Sequence, residues 1–404
     1  MAAALVVSVF LGRTLGASGL GIINLATQTT TILLVVTMLG MDNVLLKRIA
    51  IGHERRDSQE IANSFYTSSV INGLFALVIT VLGILLAPWL SHRVFHTQAL
   101  EIPLIISIAV IVPQTFSRIF GAGMNGFRKI WQSNLVNDTL SICVVGLGLL
   151  LMFCFHLPIT VITVAIIYAI GRLIVFCSTG LYWRKLFRYS GPCRFIPKPM
   201  LTMALPLLIA TGAYVIAASA DGVMLGWLRT PREVGLYSVA ARLALMGSFF
   251  LMVSNSAIGP KLAALYAQGK IREMQKMVKR VTTGLILIAI ASLAAFVAFG
   301  HSILSIWGKE FAGDYLVLVV LGIGQFVNIS TGCSGMMLTM CGYEKTVGYL
   351  STTFLLLNLV LNYWLINAWG AVGAATASAI TVAGENIVKM ILAKRKVGVL
   401  TLPF

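Results

Sequence analysis

The sequence predicts an all-α polytopic membrane protein with about twelve transmembrane helices in two six-helix lobes. Hydrophobic residues make up 58% of the 404 residues and charged residues only 11%, whereas an average soluble domain has about 25% charged residues. Apolar stretches long enough to cross a hydrocarbon core as a helix recur along the whole chain. The number of basic residues also alternates between low and high from one loop to the next, as it does in membrane proteins. These observations exclude a soluble multi-domain protein.

Twelve predicted spans divide into two sets of six. The first set lies near 1–15, 21–41, 64–90, 102–121, 133–154 and 158–182. The second set lies near 201–227, 234–259, 281–304, 314–338, 347–367 and 371–392. The first span is short for a membrane crossing, so we expect the chain to begin within helix 1, with part of that helix missing.

The distribution of cations predicts the orientation. The odd-numbered loops between spans carry only Arg13, Arg93, Arg229, Arg232 and Lys309. The even-numbered loops carry Lys47, Arg48, Arg55, Arg56, Arg128, Lys129, Arg184, Lys185, Arg188, Arg194, Lys198, Lys261, Lys270, Arg272, Lys276, Lys279, Arg280 and Lys345. Because positive charge stays on the cytoplasmic side, both termini are expected in the cytoplasm. The net charge of +17 is then explained by orientation and anionic lipid, and we expect no nucleic-acid partner.

A weak internal repeat relates the two halves at an offset of 214 residues. Leu11 and Gly12 match Leu225 and Gly226, and Lys47 matches Lys261. Two six-helix halves share one orientation, so they should be related by a pseudo-twofold axis along the membrane normal, with a substrate path between them. The predicted domains are an N-terminal lobe at 1–183, a basic cytoplasmic linker at 184–200 and a C-terminal lobe at 201–404 with a basic tail. The linker is expected to join the lobes, with a regulatory or lipid-binding role as the alternative.

Ionisable side chains inside the predicted spans are the candidate functional residues, because burying a charge in a membrane is costly. Asp221 and Arg242 lie at similar depths in helices 7 and 8. They are expected to form an ion pair that is either structural or part of a substrate or coupling site. Both alternatives stay open for Asp221, and a substrate-binding role is favoured for Arg242.

A second group of charges lies towards the cytoplasmic half of the first lobe. Asp138 is expected to neutralise one of the arginines, and a structural role is favoured for Asp138 and Arg118. Arg118 is also a candidate for substrate binding, and the deeper Arg172 is a better one. Asp42 and Asn43 close predicted helix 2 and are interpreted as a cap or a gate contact.

Arginine outnumbers carboxylate among these deep charges, and this points to the substrate. The planar guanidinium suits phosphate, and a cation in a partly dry cavity favours an anion more strongly than it would in water. A transporter of protons or metal cations would instead need carboxylates in excess. An anionic substrate is therefore favoured. Near the inner end of helix 12, Glu385 and Lys389 are four residues apart and are interpreted as a local helix pair.

The sequence has no P-loop, no HExxH motif and no nucleophile elbow. We therefore expect a protein that is not an enzyme and has no cofactor. The six cysteines lack metal-ligand spacing, and His92 and His96 in an outer loop are a weak metal-site candidate. No metal is expected.

Three segments resemble polysaccharide flippases of the multidrug/oligosaccharidyl-lipid/polysaccharide exporter superfamily. Residues 11–16 with 19–21 are similar to the end of helix 1 in these proteins, residues 221–226 with 233–237 to the helix 7–8 junction, and residues 357–362 with 369–375 to the helix 11–12 segment. They fall in the right order and cover nearly the whole chain.

The resemblance implies a flippase for an undecaprenyl-pyrophosphate-linked oligosaccharide, such as an O-antigen repeat unit, in the bacterial inner membrane. It also implies a cavity lined with cations, and Arg13 and Arg242 match such positions best. The expected partners are the lipid-linked substrate, membrane lipids and other polysaccharide-assembly proteins, and we expect a monomer. The alternative is a multidrug/cation antiporter of the same fold, coupled through Asp221. A glycan polymerase is disfavoured because the outer loops are short.

Overall fold

The computed structural model describes residues 2–135 and 140–402, and all regular secondary structure within them is helical. The predicted all-α membrane fold is confirmed. Asp138, which the sequence singles out as a partner for arginine, lies outside the described residues.

The described part of the chain contains fifteen α-helices, besides the short π- or 3-10-helical segments Leu90–Val94, Gln98–Leu100 and Lys309–Asp314. The first nine are α1 (Ala2–Met38), α2 (Met41–Glu54), α3 (Ser58–Trp89), α4 (Glu101–Ala109), α5 (Ile111–Gly126), α6 (Ile130–Asn134), α7 (Ser141–Cys154), α8 (Val161–Leu186) and α9 (Pro197–Leu228). The remaining six are α10 (Pro231–Ala244), α11 (Ser248–Ala267), α12 (Ile271–Ser305), α13 (Tyr315–Ser330), α14 (Ser334–Met340) and α15 (Glu344–Val397).

Every predicted span overlaps at least one of these helices. Two helices each contain a break that separates two predicted spans, α1 at Gly16 and α15 at Gly370. Among the described residues, seven helices are long and apolar enough to cross a membrane, or eight if the bent pair α10 and α11 forms one span. Two shorter apolar segments, Ser141–Cys154 and Val215–Leu228, coincide with further predicted spans. The count of twelve stays a prediction.

The chain separates into two compact units, Met1–Ser219 and Ala220–Phe404, here called the first and second unit. The boundary lies within α9. The predicted lobe boundaries around the 184–200 linker stay a prediction.

The first unit is built around α2, α3, α5 and α8, which pack against one another. Their buried core includes Leu45, Ile49, Ile119 and Trp183. The Trp183 ring stacks on Phe65 with a centroid distance of 4.6 Å. Apolar packing of this kind, rather than backbone propensity, holds helices together.

The segment before α9 is bound to α3 within the first unit. The Arg194 backbone N–H donates to Asn63 Oδ1 at 2.7 Å, and the Ile196 backbone N–H donates to Thr67 Oγ1 at 3.0 Å. Both acceptor side chains are buried. The basic stretch therefore follows a defined path along one helix.

One predicted loop is helical in the structure. The chain breaks at Gly40, which has a left-handed φ of 73°, and then continues as α2. Asp42 and Asn43 lie in the first turn of α2 and do not close the preceding helix, so their predicted position is corrected. An acidic side chain in a first turn stabilises a helix through its dipole, and the sequence pattern alone did not reveal this second helix.

The second unit is built around α12, α13, α14 and α15. At the break in α15, two charged side chains form hydrogen bonds with backbone groups at the two helix ends. Arg229 donates from Nε to the Ile366 carbonyl at 3.0 Å and from a terminal nitrogen to the Asn367 carbonyl at 2.7 Å. Glu233 Oε2 accepts from the Ala371 backbone N–H at 3.1 Å. A cation at the end of one helix and an anion at the start of the next complement both helix dipoles.

Gly370→Ala is expected to destabilise the protein by more than about 1 kcal/mol. Gly370 has φ 56° and ψ −131°, and an added Cβ would overlap Glu233 Oε2. The matched control is Gly348→Ala in the same helix, where an added Cβ would contact nothing and alanine favours helix by about 1 kcal/mol. Thermal unfolding in detergent measures both variants, and an unchanged midpoint for Gly370→Ala would contradict this reading of the turn.

Candidate functional site

A cavity of about 340 Å³ lies within the first unit. It brings together four of the seven site residues predicted from the sequence, Asp42, Asn43, Arg118 and Arg172. The other lining residues are Thr31, Leu34, Leu46, Gln114, Ser117, Gly121, Ala122, Asn125, Ser133, Asn134 and Val175. This cavity is called the arginine cavity below.

Helix α5 supplies the largest share of the lining. Gln114, Arg118 and Asn125 lie on one face of the helix because they are spaced by four and seven residues. Gly121 and Ala122 fall between them and leave space in front of the helix because their side chains are small. The other lining residues come from α1, from the start of α2, from α6 and from the middle of α8.

The charges in the arginine cavity favour an anion. Among the described lining residues, two are arginines, Arg118 and Arg172, and one is acidic, Asp42. Asp42 Oδ1 also accepts the Asn43 backbone N–H at 3.0 Å. Cations that line a cavity in a membrane protein mark a substrate or ion pathway, and the forked guanidinium matches phosphate oxygens.

The remaining predicted arginines lie elsewhere. Arg13 is exposed on the first segment of α1 and is not part of the cavity lining. Arg242 is partly buried in the last turn of α10, in the second unit. The substrate-binding roles of both residues stay predictions.

Asp221 lies in a hydrogen-bonded cluster within the second unit. Its Oδ2 atom accepts the Tyr237 hydroxyl at 2.6 Å and also the Ser378 hydroxyl, and its Oδ1 atom accepts from Asn362 Nδ2 at 2.7 Å. Asn362 also donates to Asn358 Oδ1 at 2.9 Å, and Asn358 donates to Thr381 Oγ1 at 3.2 Å. These six residues are called the Asp221 cluster.

The predicted ion pair between Asp221 and Arg242 is not formed. Among the residues that the structure describes, every partner of Asp221 is a neutral hydroxyl or amide. Asn362 is fully buried, and its Oδ1 atom has no hydrogen-bond partner in the described part of the chain. A membrane carboxylate surrounded by neutral donors, with a free amide oxygen beside it, would bind a proton or a small cation.

Apart from Asn43, the neutral members of both sites were not predicted from the sequence. The one available signal was the spacing of Asn358 and Asn362, four residues apart in an apolar span. By contrast, the predicted pair of Glu385 and Lys389 is confirmed, with Lys389 Nζ 2.6 Å from Glu385 Oε1. The Ser351 hydroxyl also donates to Glu385 at 2.5 Å.

A metal centre has no support in the described ranges, 2–135 and 140–402. Within them no group of three or more histidine, cysteine or acidic side chains is placed to hold a metal ion. His92, a weak candidate from the sequence, lies 2.8 Å from Glu101 through Nε2.

Family models and sequence relatives give a consistent set of similarities. The family model described as polysaccharide biosynthesis protein matches residues 1–266, and the MatE model matches residues 206–364. A probable low-salt glycan biosynthesis flippase of Haloferax volcanii is 23% identical over 94% of this chain and 77% of its own length. A putative O-antigen transporter of Shigella flexneri is 22% identical over 92% of this chain and 89% of its own length.

Solved structures share the fold. An inward-facing multidrug resistance MATE family transporter of the MOP superfamily aligns with a TM-score of 0.80 at 13% identity, over 98% of this chain and 94% of that chain. The lipid II flippase MurJ, in an inward closed conformation, aligns with a TM-score of 0.78 at 16% identity, over 97% of this chain and 85% of that chain.

Proposed function

The chain belongs to the polysaccharide biosynthesis protein family, and on that premise we propose that it is a flippase that carries a lipid-linked oligosaccharide across a membrane. The arginine cavity is the observation that supports this function best. A lipid-linked oligosaccharide carries its negative charge on the phosphates that join sugar to lipid, and two guanidinium groups in one cavity suit such a group. In this proposal the multi-pass fold moves the substrate through the bilayer and does not change it chemically.

The two units differ in chemistry, and this suggests a division of roles. At the repeat offset of 214 residues, Arg118 corresponds to Gly332, and Asp221 corresponds to Val7. The first unit therefore holds the two arginines of the anion site, and the second unit holds the Asp221 carboxylate. In this proposal the Asp221 cluster binds the coupling ion. Asp42 and Asn43, in the first turn of α2, act as gate contacts.

The same premise extends to location and partners. We place the protein in a bacterial inner membrane with both termini in the cytoplasm, as the alternation of basic loops favours. The substrate is an oligosaccharide on undecaprenyl pyrophosphate, moved by alternating access. The protein works as a monomer beside membrane lipids and other polysaccharide-assembly proteins. Arg13 and Arg242 contribute further cations along the substrate path.

A multidrug/cation antiporter is the second candidate. The observations that favour it are the MatE match over residues 206–364 and the Asp221 carboxylate within that range. It is less supported, because the sequence relatives that cover most of the chain are described as a flippase and an O-antigen transporter.

Complementation separates the two candidates. Cells that lack their own O-antigen flippase are expected to regain surface polysaccharide when they express this chain, because the anion site recognises the linkage common to such substrates. Surface glycan is measured by gel profile and antibody staining, with membrane insertion checked by a terminal tag. Resistance to cationic drugs without any restored glycan, in cells where the tagged protein is inserted, would overturn the flippase proposal.

A further inference from the structure

A second cavity, of about 490 Å³, lies where four helices of the first unit end or begin, namely α2, α3, α5 and α8. Its apolar wall consists of Ile61, Phe127 and Phe187, and its rim carries His53, Arg56 and Ser58. This cavity is called the aromatic pocket. None of these six residues lines the arginine cavity, so the transport site described above gives the pocket no role.

The rings of the aromatic pocket are held in place by packing within the first unit. Phe127 contacts the His53 ring at a centroid distance of 4.8 Å and the Phe187 ring at 6.0 Å. Both phenylalanine rings also pack against Trp183, which is buried. The pocket is therefore formed before a ligand arrives, and a preformed pocket lowers the entropic cost of binding.

Exposed cations surround the aromatic pocket. Seven of them line it or lie within three residues of a lining residue, namely Arg55, Arg56, Arg128, Lys129, Arg184, Lys185 and Arg188. In the described part of the chain, only Arg128 among these seven has a side-chain partner, the Glu54 carboxylate. The surface around the pocket is therefore strongly positive.

The other carboxylates near the pocket do not neutralise this surface. Asp57 accepts the Glu60 backbone N–H at 2.9 Å and caps α3, and Glu60 pairs with Arg48 at 2.6 Å. Both carboxylates are thus engaged within the first unit. The cations around the pocket remain available to an acidic partner, and complementary charge speeds and orients association.

The distance from the bilayer separates two kinds of anionic occupant, a phospholipid and an acidic protein segment. Phe127 and Phe187 lie six and five residues beyond predicted spans that end near 121 and 182, about 7 to 9 Å at 1.5 Å per residue. The headgroup layer outside the hydrocarbon core is about 5 to 8 Å thick. Acyl chains therefore end short of the aromatic wall, and a phospholipid would leave the apolar part of the pocket unfilled.

A protein segment supplies both kinds of group that the pocket matches. A large apolar side chain fills the space beside Ile61, Phe127 and Phe187, and carboxylates on either side of it pair with the surrounding cations. An aromatic side chain in a preformed pocket, surrounded by a polar rim, is the usual arrangement of the residues that dominate binding at protein interfaces. An aromatic residue is therefore the best match for the pocket.

We propose that the aromatic pocket and the cations around it bind an acidic segment of a partner protein through one aromatic side chain of that segment. The partner lies on the side of the membrane that the basic loops face. Such a docking site would serve either candidate transport function, because it lies outside the arginine cavity and does not depend on the identity of the substrate.

Peptide binding to the purified full-length protein in nanodiscs of neutral phosphatidylcholine tests this site. One probe is a short peptide of aspartate and glutamate with a single central tryptophan, and the other has alanine in place of the tryptophan. Both probes carry the same charge, so the ratio of their dissociation constants reports the aromatic side chain alone. The wild-type protein is expected to bind the tryptophan peptide at least about tenfold more tightly, because burial of one large apolar side chain suffices for this factor.

Ser58→Trp fills the pocket from its rim and removes no wall residue, so the ratio is expected to fall towards one. Phe187→Ala removes part of the wall and is expected to lower the ratio as well. Gln59→Trp is the matched control, because Gln59 is also exposed on the first turn of α3 but does not line the pocket; it should keep the wild-type ratio. A wild-type ratio near one, or a preference that survives in Ser58→Trp, would overturn the proposal.

A double variant tests the contribution of the cations. Arg55→Gln combined with Arg56→Gln is expected to weaken the binding of both peptides by a similar factor at low salt, because both peptides carry the same carboxylates. The ratio between the two peptides should change little. Undiminished binding of both peptides by the double variant would contradict the role of charge in this site.

Nanodiscs that contain anionic phosphatidylglycerol distinguish a protein partner from lipid. The negative bilayer is expected to weaken both peptides alike and to leave their ratio unchanged. A ratio that falls to one in these nanodiscs would assign the pocket to lipid and overturn the proposal. A chain that fails to restore surface glycan would refute the flippase function and leave this binding result standing, so the two proposals fail separately.

Discussion

Arg172→Ala is expected to reduce the flipping of a lipid-linked oligosaccharide by about 10- to 100-fold at substrate concentrations below saturation. Arg172 and Arg118 are the two cations among the described residues that line the arginine cavity. A hydrogen bond to a charged group contributes about 1.5 to 3 kcal/mol, and each 1.4 kcal/mol is a factor of about ten. The initial flipping rate in proteoliposomes measures the effect, with fluorescently labelled substrate that becomes accessible to an external quencher.

Two controls make this result specific. Arg172→Lys keeps the charge but loses the planar fork, so it is expected to recover only part of the rate. Arg188→Ala removes an exposed arginine outside the cavity lining and should leave the rate close to wild type. A wild-type rate for Arg172→Ala, in protein with an unchanged thermal unfolding midpoint, would remove the arginine cavity from the transport path.

Asp221→Asn is expected to abolish the acceleration of flipping by an ion gradient. The carboxylate accepts hydrogen bonds from Tyr237, Asn362 and Ser378, and no cationic side chain pairs with it among the described residues. Asparagine keeps the size of the side chain but can no longer gain and lose a proton or neutralise a cation. The measured quantity is the ratio of flipping rates with and without an imposed proton or sodium gradient.

Asp314→Asn is the matched control for this experiment, because Asp314 is an acidic residue of the second unit outside the Asp221 cluster. It is expected to keep the wild-type gradient response. Tyr237→Phe removes one neutral donor to Asp221 and should alter the response without abolishing it. If Asp221→Asn still responds to both gradients as the wild type does, coupling does not pass through this carboxylate.

Part of the arginine cavity was predictable because charges stand out in apolar sequence. Arg118, Arg172, Asp42 and Asn43 were each selected for their charge or polarity near a predicted span, and the structure places all four in one cavity. Asn125 was not selected, because a single neutral amide is common in membrane helices and gives no signal by itself.

The predicted ion pair of Asp221 with Arg242 was wrong, and its failure has a geometric cause. Equal depth follows from counting residues along two helices. Pairing also requires that the two side chains face each other, which depends on how each helix is rotated by its neighbours. In the structure Asp221 instead faces Asn362 and Ser378 of α15, which are far away in sequence.

By itself, the sequence determined the class of protein, the apolar segments that form its helices and the charged candidates, because hydropathy and the cost of a buried charge act locally along the chain. Only the tertiary structure decided that α2 is a separate helix after Gly40, that amides share the cavity with arginines, and that Asp221 has neutral partners. These features depend on helix rotation and packing between segments distant in sequence, and no local pattern specifies which side chains then meet.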